Sequence, residues 1–371
     1  MLTKAAQLIQ QGIEKKLHRG AQLCVSRQGE VIEQFAIGEA APSQPLTDDS
    51  IALWMSSGKP VTAVAIMQLV EQGELGLDDP VAHYLPLFAS HGKSYITVRH
   101  LLMHTAGIRT ARFKFPQDDW DTIIAAICDS QPEWEAGEEG GYHTQTTWFL
   151  LGELIHLING RTVDRYAREE VFLQLGMKNS WLGMPPETYR AYEQAGQLFD
   201  MPNTATGGFK PAPMTGFDWS TRPRPGGNCM GPIRELVRFY EMLLQGGERD
   251  GVRLLQPGTV AQMTSRQRAD LHDHTFKQTI DWGFGLAINS AHHAPAAQGG
   301  EPAWHRIPYG YGPHASRETF GHGGAQSSIA FADPEHHLAV GLVFNGMPGE
   351  AKHQQRVNPV LEALYQDLGL A

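Results

Sequence analysis

Two residues suited to nucleophilic chemistry, Ser56 and Lys59, lie three positions apart in the segment 54–60. At this spacing two side chains lie one helical turn apart on the same face, so the hydroxyl and the amine can touch. A serine hydroxyl needs an adjacent base to become a good nucleophile, and lysine becomes a base when burial disfavours its charged form. The pair therefore suits attack on a carbonyl carbon through a covalent serine ester. The bare spacing is a weak signal, because it occurs by chance in most long proteins and a helix-capping serine beside a solvated lysine is then the favoured explanation.

The residues that follow this pair favour catalysis. The run 61–70 has only two polar residues, Thr62 and Gln68, and a helix that is apolar nearly all round belongs in a protein core. Its first turn offers unpaired backbone N–H groups and the positive end of the helix dipole, which favour the oxyanion of a tetrahedral intermediate. Pro60 fits that turn, where its missing N–H breaks no intrahelical bond. We therefore expect a buried helix that presents Ser56 and desolvates Lys59.

Longer segments around the pair carry a resemblance to a known family. Residues 46–87, which include Ser-Ser-Gly-Lys-Pro-Val-Thr-Ala-Val-Ala, and residues 96–107 resemble the nucleophile region of class C β-lactamase-like serine hydrolases. Penicillin-binding proteins and family VIII esterases are relatives of this group. Residues 234–239 and 321–324 extend the likeness over most of the chain. The resemblance implies an acyl-enzyme formed on Ser56 and no cofactor.

The family's second motif, Tyr-x-Asn, matches Tyr142, His143 and Thr144. The resemblance implies that Tyr142 is a general base or proton shuttle, with its phenolate stabilised by the lysine cation. A structural tyrosine that caps a loop is the alternative. Thr144 replaces an asparagine whose amide normally reaches the lysine and the bound acyl amide. A hydroxyl cannot present both carboxamide groups, so a simple ester is favoured over a β-lactam or peptide.

The third motif, Lys-Thr-Gly or a variant on a strand beside the site, matches His322, Gly323 and Gly324. The glycines allow the backbone to approach a substrate, and a strand edge can pair with an extended ligand. By analogy, the N–H groups of Ala325 and Ser56 form the oxyanion hole. A structural histidine is the alternative, since the chain has 17 histidines. The missing lysine and threonine would have held a substrate carboxylate, which again disfavours a β-lactam.

Other polar side chains are given smaller roles. Arg222 and Arg224 can form a carboxylate clamp, but solvated loop arginines are the favoured interpretation. The histidine pairs at 292–293 and 336–337 lack the spacing of a metal site, so we predict no metal. The sequence has no Gly-x-Ser-x-Gly elbow and no Gly-x-Gly-x-x-Gly after a strand, which argues against an α/β-hydrolase and a dinucleotide site.

The composition describes a globular protein without a surface for polyanions. The 371 residues include 30 basic and 40 acidic side chains and no run of Lys or Arg, for a net charge of -10. We therefore expect no nucleic-acid partner. Three scattered cysteines are too few for a disulfide framework and are expected to be buried. The sequence shows neither a signal-peptide pattern nor about 18 successive apolar residues, so we expect no membrane association and a cytoplasmic location.

The elements that must position these groups come from both ends of the chain. Two β-rich runs, 22–27 and 30–37, are joined by Gln28-Gly29, and two more, 327–332 and 338–345, are joined by 333–335. Each pair is predicted to form a hairpin. Helical patterns after an amphipathic N-terminal helix, and one loop-like stretch at 204–227, complete the prediction. The helical patterns cover residues 61–70, 98–104, 146–158, 234–245 and 358–368.

This order of elements predicts an α/β (α+β) fold. The N- and C-terminal segments together form an antiparallel sheet flanked by helices. A mostly helical domain is inserted between these segments along the chain, as in β-lactamases and transpeptidases. The predicted sheet domain comprises residues 1–50 and 235–371, and the predicted helical domain comprises residues 51–234. The active site is expected between them.

The favoured function is a carboxylesterase that acts on small esters. β-Lactamase, D-aminopeptidase and acyltransferase activities remain alternatives, because they differ in the acyl pocket and acceptor and not in the three motifs. An inactive binding or assembly module of the same fold is the alternative from another class, although Ser56, Lys59 and Tyr142 are all retained. The expected partner is a small-molecule ester or amide.

Overall fold

The computed structural model describes residues 2–294, 307, 308 and 310–371. The helices are α1 (Thr3–Glu14), α2 (Lys59–Glu71), α3 (Val81–Tyr84), α4 (Val98–Leu102), α5 (Trp120–Cys128), α6 (Thr146–Asn159), α7 (Val163–Ala167), α8 (Pro186–Gln194), α9 (Phe217–Thr221), α10 (Ile233–Leu244), α11 (Pro257–Thr264) and α12 (Glu350–Asp367). The strands are β1 (Gly20–Arg27), β2 (Glu30–Ala41), β3 (Gln44–Pro45), β4 (Ala52–Leu53), β5 (Trp181–Leu182), β6 (Cys229–Gly231), β7 (Glu248–Arg249), β8 (Val252–Arg253), β9 (His272–Asp273), β10 (Gln278–Thr279), β11 (Ala287–Ile288), β12 (Phe320–Gly324), β13 (Ser328–Asp333) and β14 (Leu338–Phe344).

The largest sheet joins the two ends of the chain. Its seven strands follow the order β11-β12-β13-β14-β1-β2-β3, and each neighbouring pair is antiparallel. The central pair is β1 with β14, in which Ala21 lies opposite Phe344. Helices α2 to α9 lie between β4 and α10 along the chain. The α+β prediction is confirmed, whereas the exact division at residues 50 and 235 stays a prediction.

The sheet is covered on both faces, as the alternation of side chains along a strand requires. Leu23 and Val25 of β1 belong to the core under α1 and α12. Cys24, between them, belongs to the larger core that contains α10 and the buried helix α2. The sheet therefore separates the terminal helix pair α1 and α12 from the helices α2 and α10.

Both predicted hairpins are present. The turn between β1 and β2 places Gln28 at φ 56° and Gly29 at φ 85°, the left-handed conformations of a two-residue hairpin turn. The second hairpin pairs β13 with β14, from Ser328 opposite Val343 to Asp333 opposite Leu338. Local turn chemistry therefore predicted two of the sheet's connections.

Two element predictions are wrong in their bounds. The predicted loop at 204–227 contains the short helix α9, and the last helix begins at Glu350 rather than at residue 358. Pro359 lies inside α12, although proline is normally found in the first turn of a helix. The polar residues before it are part of the fold, because Arg356 is buried and donates to the carbonyls of Gln326 and Gly346.

The cysteine prediction is confirmed, since Cys24, Cys128 and Cys229 are free and buried. A search of the described helices finds none with the length and apolar character needed to cross a membrane.

Candidate active site

The nucleophile candidate lies on a strained turn that leads into the buried helix. Ser56 belongs to a 3-10 turn, Met55–Gly58, directly before α2. Met55 has φ 51°, which is uncommon for a residue with a side chain and is often found at functional sites. Ser56 is only partly buried, whereas Ser57 is completely buried. The turn therefore presents one of the two serines to an incoming molecule.

Two polar groups contact the Ser56 oxygen. The Nζ of Lys59 lies 3.0 Å from Ser56 Oγ, and the hydroxyl of Tyr142 lies 2.9 Å from the same oxygen. The sequence predicted this group of three, of which Tyr142 is 86 residues away along the chain. A hydroxyl held between an amine and a phenol can pass its proton to one of them and receive a proton from the other.

The setting of Lys59 favours its neutral form. The side chain is completely buried, and burial, followed by the positive charge of Arg224, lowers its pKa well below the ordinary value. Besides Ser56 Oγ, Nζ contacts the carbonyl oxygens of Thr144, at 3.0 Å, and Gly226. Carbonyls only accept, so they take the two N–H bonds of a neutral amine. When the amine is neutral, its lone pair is left for the Ser56 hydroxyl, as a general base requires.

Tyr142 is held in a stack of aromatic rings. Its ring is stacked against Trp282, with centroids 5.6 Å apart, and against Phe276 at 5.0 Å. Burial raises the pKa of the phenol, although the hydrogen bond with Ser56 opposes the change. The expected phenolate beside a lysine cation is therefore disfavoured in the free protein. Neutral Lys59 as base and protonated Tyr142 as donor is the arrangement that burial supports.

A buried ion pair that the sequence did not reveal fixes the backbone of Tyr142. Asp273 Oδ1 accepts from the N–H of Tyr142 at 3.0 Å, and Asp273 Oδ2 lies 2.8 Å from Arg268 Nη2. Arg268 also donates to the carbonyl of Met103, which follows α4. Both partners are buried, so removal of one leaves an uncompensated charge. The pair positions the tyrosine without contacting Ser56.

Strand β12 brings the third predicted motif against the nucleophile turn. Ser57 Oγ donates to the carbonyl of His322 at 2.9 Å, and Ser328 Oγ donates to the carbonyl of Trp54 at 2.7 Å. A Cβ on Gly324 would lie 2.5 Å from the Trp54 oxygen, closer than any real contact. Only glycine permits this approach. The end of β12 is thus fixed beside Ser56.

Two backbone donors at this junction suit an oxyanion. Within the described residues, the N–H groups of Ser56 and Ala325 donate no hydrogen bond. Ala325 directly follows β12, and Ser56 lies in the turn that Gly324 contacts. Unused N–H groups beside a nucleophile are the usual components of an oxyanion hole. That role stays a prediction for this pair.

The side chain of His322 belongs to the wall of the site. It is completely buried, and its ring centroid lies 5.7 Å from that of Tyr142 and 5.6 Å from that of Trp282. Burial, followed by the charge of Lys59, lowers its pKa to about 3. The ring is therefore neutral at physiological pH, and its Nδ1 lies 2.7 Å from the Gly323 carbonyl. It cannot supply the fixed cation of a Lys-Thr-Gly motif.

Comparison with known proteins agrees with this geometry. The family model described as Beta-lactamase matches residues 5–364. The chain belongs to the Beta-lactamase family. It is 26% identical to the esterase/beta-lactamase LipL of Mycobacterium tuberculosis over 325 residues, 81% of this chain and 70% of that protein. It is 30% identical to penicillin-binding protein 4 of Amycolatopsis lactamdurans over 296 residues, 74% of each chain.

A solved structure extends the agreement to the whole fold. The crystal structure of a novel penicillin-binding protein homologue from Caulobacter crescentus has a TM-score of 0.79 with this chain and 26% sequence identity. The match covers 98% of this chain and 97% of that one. The family consists of serine hydrolases and includes proteins named as an esterase and as putative carboxypeptidases, so the prediction of a serine hydrolase is confirmed at the level of the family.

This member of the Beta-lactamase family differs from the predicted pattern at the second motif. The side chain of Thr144 is exposed, and the residue contributes its carbonyl to Lys59 instead. The neighbouring Gln145 carries a carboxamide, but its oxygen accepts from Arg224 Nε at 3.2 Å. The solvated interpretation holds for the exposed Arg222 and is wrong for Arg224, of which 8% is exposed.

The histidine pair at 292–293 approaches carboxylates. Single ligand atoms of Asp270, His292 and His293 all lie within 4.8 Å of one another. Both rings also contact Asp281, at 3.4 and 3.0 Å, and Arg266 already binds that carboxylate at 2.9 Å. The guanidinium opposes a second cation at this position, and the absence of a metal stays a prediction.

Proposed function

We propose that this protein is a carboxylesterase that hydrolyses small esters through an acyl-enzyme on Ser56. The observation that carries the proposal is the contact of Ser56 Oγ with both the Lys59 amine and the Tyr142 hydroxyl, at 3.0 and 2.9 Å. A serine placed between a base and a proton donor has both proton-transfer partners that attack on an ester carbonyl requires.

The proposed reaction has two halves. Ser56 Oγ attacks the carbonyl carbon while its proton passes to the Lys59 amine, and the N–H groups of Ser56 and Ala325 stabilise the oxyanion. The C–O bond of the ester then breaks, and the departing alkoxide takes a proton delivered through Tyr142 or Lys59. Water repeats the sequence on the acyl-enzyme, which releases the carboxylic acid and restores the serine.

The substitutions in the motifs support an ester over a β-lactam or peptide. Thr144 offers neither half of a carboxamide, and its hydroxyl side chain is exposed. His322 is neutral and buried where the family motif has a lysine. An ester carbonyl needs only a nucleophile, a base and oxyanion donors, for which Ser56, Lys59 and the N–H groups of Ser56 and Ala325 are the candidates. A relative named esterase/beta-lactamase is compatible with this preference.

Covalent labelling tests the nucleophile directly. A fluorophosphonate probe should modify Ser56, and peptide mass spectrometry should place the adduct there and not on the adjacent, buried Ser57. The variant Ser56→Ala should lose the adduct, while Ser265→Ala, in an exposed turn after α11, should keep it. An unlabelled Ser56, under conditions that label a known serine hydrolase, would overturn the assignment.

A substrate panel separates the alternatives. Short p-nitrophenyl esters should be hydrolysed by the wild type and not by Ser56→Ala, while nitrocefin and D-amino-acid amides should be slower in kcat/KM. Faster nitrocefin turnover would favour a β-lactamase, and faster amide turnover would favour a D-aminopeptidase. Equal ester hydrolysis by wild type and Ser56→Ala would favour an inactive binding module with a contaminating esterase.

A further inference from the structure

Arg224 is a buried cation that no carboxylate of the described residues pairs with. Only 8% of the residue is exposed, and its Nε donates a hydrogen bond to Gln145 Oε1 at 3.2 Å. Within the described part of the chain, Nη1 and Nη2 donate to no protein acceptor and no Asp or Glu forms an ion pair with the guanidinium. An arginine remains charged when buried, so the free protein carries an uncompensated cost there.

The position of Arg224 connects it to the catalytic base. Lys59 Nζ is held by the carbonyls of Thr144 and Gly226. Arg224 contacts the residue after each of these, since Nε binds Gln145 and Nη1 lies 2.9 Å from the place a Cβ would take on Gly227. The guanidinium therefore borders the two segments that carry the carbonyls around the amine.

Aromatic rings hold the guanidinium in one orientation. Its central carbon lies 4.5 Å from the ring centroid of Trp219 and 5.5 Å from that of Phe115. Stacking of this kind leaves the edge of the guanidinium free for the paired hydrogen bonds that a carboxylate accepts. Neither Nη atom is a fully buried atom lacking a partner, so solvent or a ligand reaches both.

We propose that Arg224 binds a carboxylate of the substrate, so that the preferred esters are anionic, such as half-esters of dicarboxylic acids. This inference rests on the proposed esterase function and specifies its substrate class. A substrate carboxylate that accepts hydrogen bonds from Nη1 and Nη2 supplies the negative charge that no described Asp or Glu provides. Arg224 then takes over the carboxylate recognition that a Lys-Thr-Gly motif would provide, from the segments that carry the carbonyls around Lys59.

Matched substrate pairs measure this recognition. One pair is mono-p-nitrophenyl glutarate and its methyl-capped diester, with the carboxylate in the acyl part. The other is 3-acetoxybenzoate and its methyl ester, with the carboxylate in the alcohol part. In at least one pair, Arg224→Met should lower the ratio of kcat/KM for the free carboxylate to that for the capped ester by about 10- to 100-fold, the value of a charge-assisted hydrogen bond.

The ratio isolates recognition from general effects on catalysis. Loss of the Arg224 charge also changes the pKa of Lys59, but that change affects the hydrolysis of both substrates of a pair equally. Arg224→Lys should recover part of the ratio, and Arg222→Met, which removes the exposed arginine two residues earlier, should leave it at the wild-type value. Ratios unchanged by Arg224→Met in both pairs would overturn the inference while the esterase proposal stands.

A binding measurement keeps the test independent of turnover and of the folding of Arg224→Met. Benzoate should raise the melting temperature of Ser56→Ala more than benzamide does, because only the carboxylate pairs with the guanidinium. An equal shift from the two ligands would overturn the inference. Failure of the wild type to hydrolyse any ester, with benzoate still preferred, would instead overturn the esterase and leave the anion site.

Discussion

Replacement of Gly324 by alanine tests whether the close approach of β12 positions the oxyanion hole. The new Cβ would lie 2.5 Å from the Trp54 carbonyl oxygen and 3.0 Å from the Met55 Cβ, and it would also meet Ser328 Oγ. The Trp54 carbonyl oxygen and the Met55 Cβ cannot be moved by rotation of a side chain. The strand end must therefore move away from Ser56.

The magnitude follows from two separate costs. Forcing one extra carbon into a tightly packed interior typically costs about 1–3 kcal/mol of folding free energy. Displacing the N–H of Ala325 removes one oxyanion donor, and loss of such a donor lowers kcat by about 10²–10³-fold. We therefore expect a moderate loss of stability and a large loss of kcat, with KM changed little.

The assay is steady-state hydrolysis of p-nitrophenyl butyrate together with urea unfolding. Gly258→Ala is the matched control, because a Cβ there, at the start of α11, meets no atom of the described residues within 4 Å. This variant should keep both kcat and stability. A destabilised Gly324→Ala that retains the wild-type kcat would refute the reasoning, since the strand end would then have moved without affecting the reaction.

Three further predictions concern the groups around Ser56. Lys59 must be unprotonated to accept a proton, so kcat/KM should fall as pH drops through its pKa. Burial and the charge of Arg224 lower that pKa, so the acid limb of a pH–rate profile should lie well below pH 10.5. In Arg224→Met the limb should move to higher pH, because the positive charge is removed. A limb near 10.5 would contradict a buried base. Tyr142→Phe keeps the ring stack and removes the hydroxyl 2.9 Å from Ser56 Oγ. We expect kcat to fall about 10²–10⁴-fold with little change in melting temperature. An unchanged kcat would show that the role of the tyrosine is structural. Asp273→Asn breaks the buried pair with Arg268 and should lower the free energy of unfolding by about 3–5 kcal/mol in urea titrations; a change near zero would show that Arg268 finds other compensation.

Sequence predicts those parts of this protein that are encoded locally. The hairpin at Gln28-Gly29 follows from the backbone preference of glycine, and the burial of α2 follows from its apolar residues. The contact of Ser56 with Lys59 follows from their spacing on one turn. These features need no knowledge of distant segments, and the structure confirms each of them.

Other features depend on contacts that no local pattern encodes. Arg224 lies in a Pro- and Gly-rich loop, where an arginine is normally solvated, but its guanidinium packs against the rings of Trp219 and Phe115. Asp273 supports Tyr142 from a segment 131 residues away, outside every motif. A charged residue in a polar stretch of sequence gives no sign of burial, which is why the burial of Arg224 and the role of Asp273 were not predicted.

The pairing of β1 with β14 dictates the order in which the molecule can be completed. The first hairpin leaves the ribosome more than 300 residues before its neighbour in the sheet, since Ala21 pairs with Phe344. Until then one long edge of β1 offers unsatisfied backbone groups, and such edges invite association with other chains. The same pairing orders β13, and with it the strand β12 that borders Ser56, after β14 has been made. Newly made protein thus completes the surroundings of Ser56 only after residues 320–344 have been synthesised.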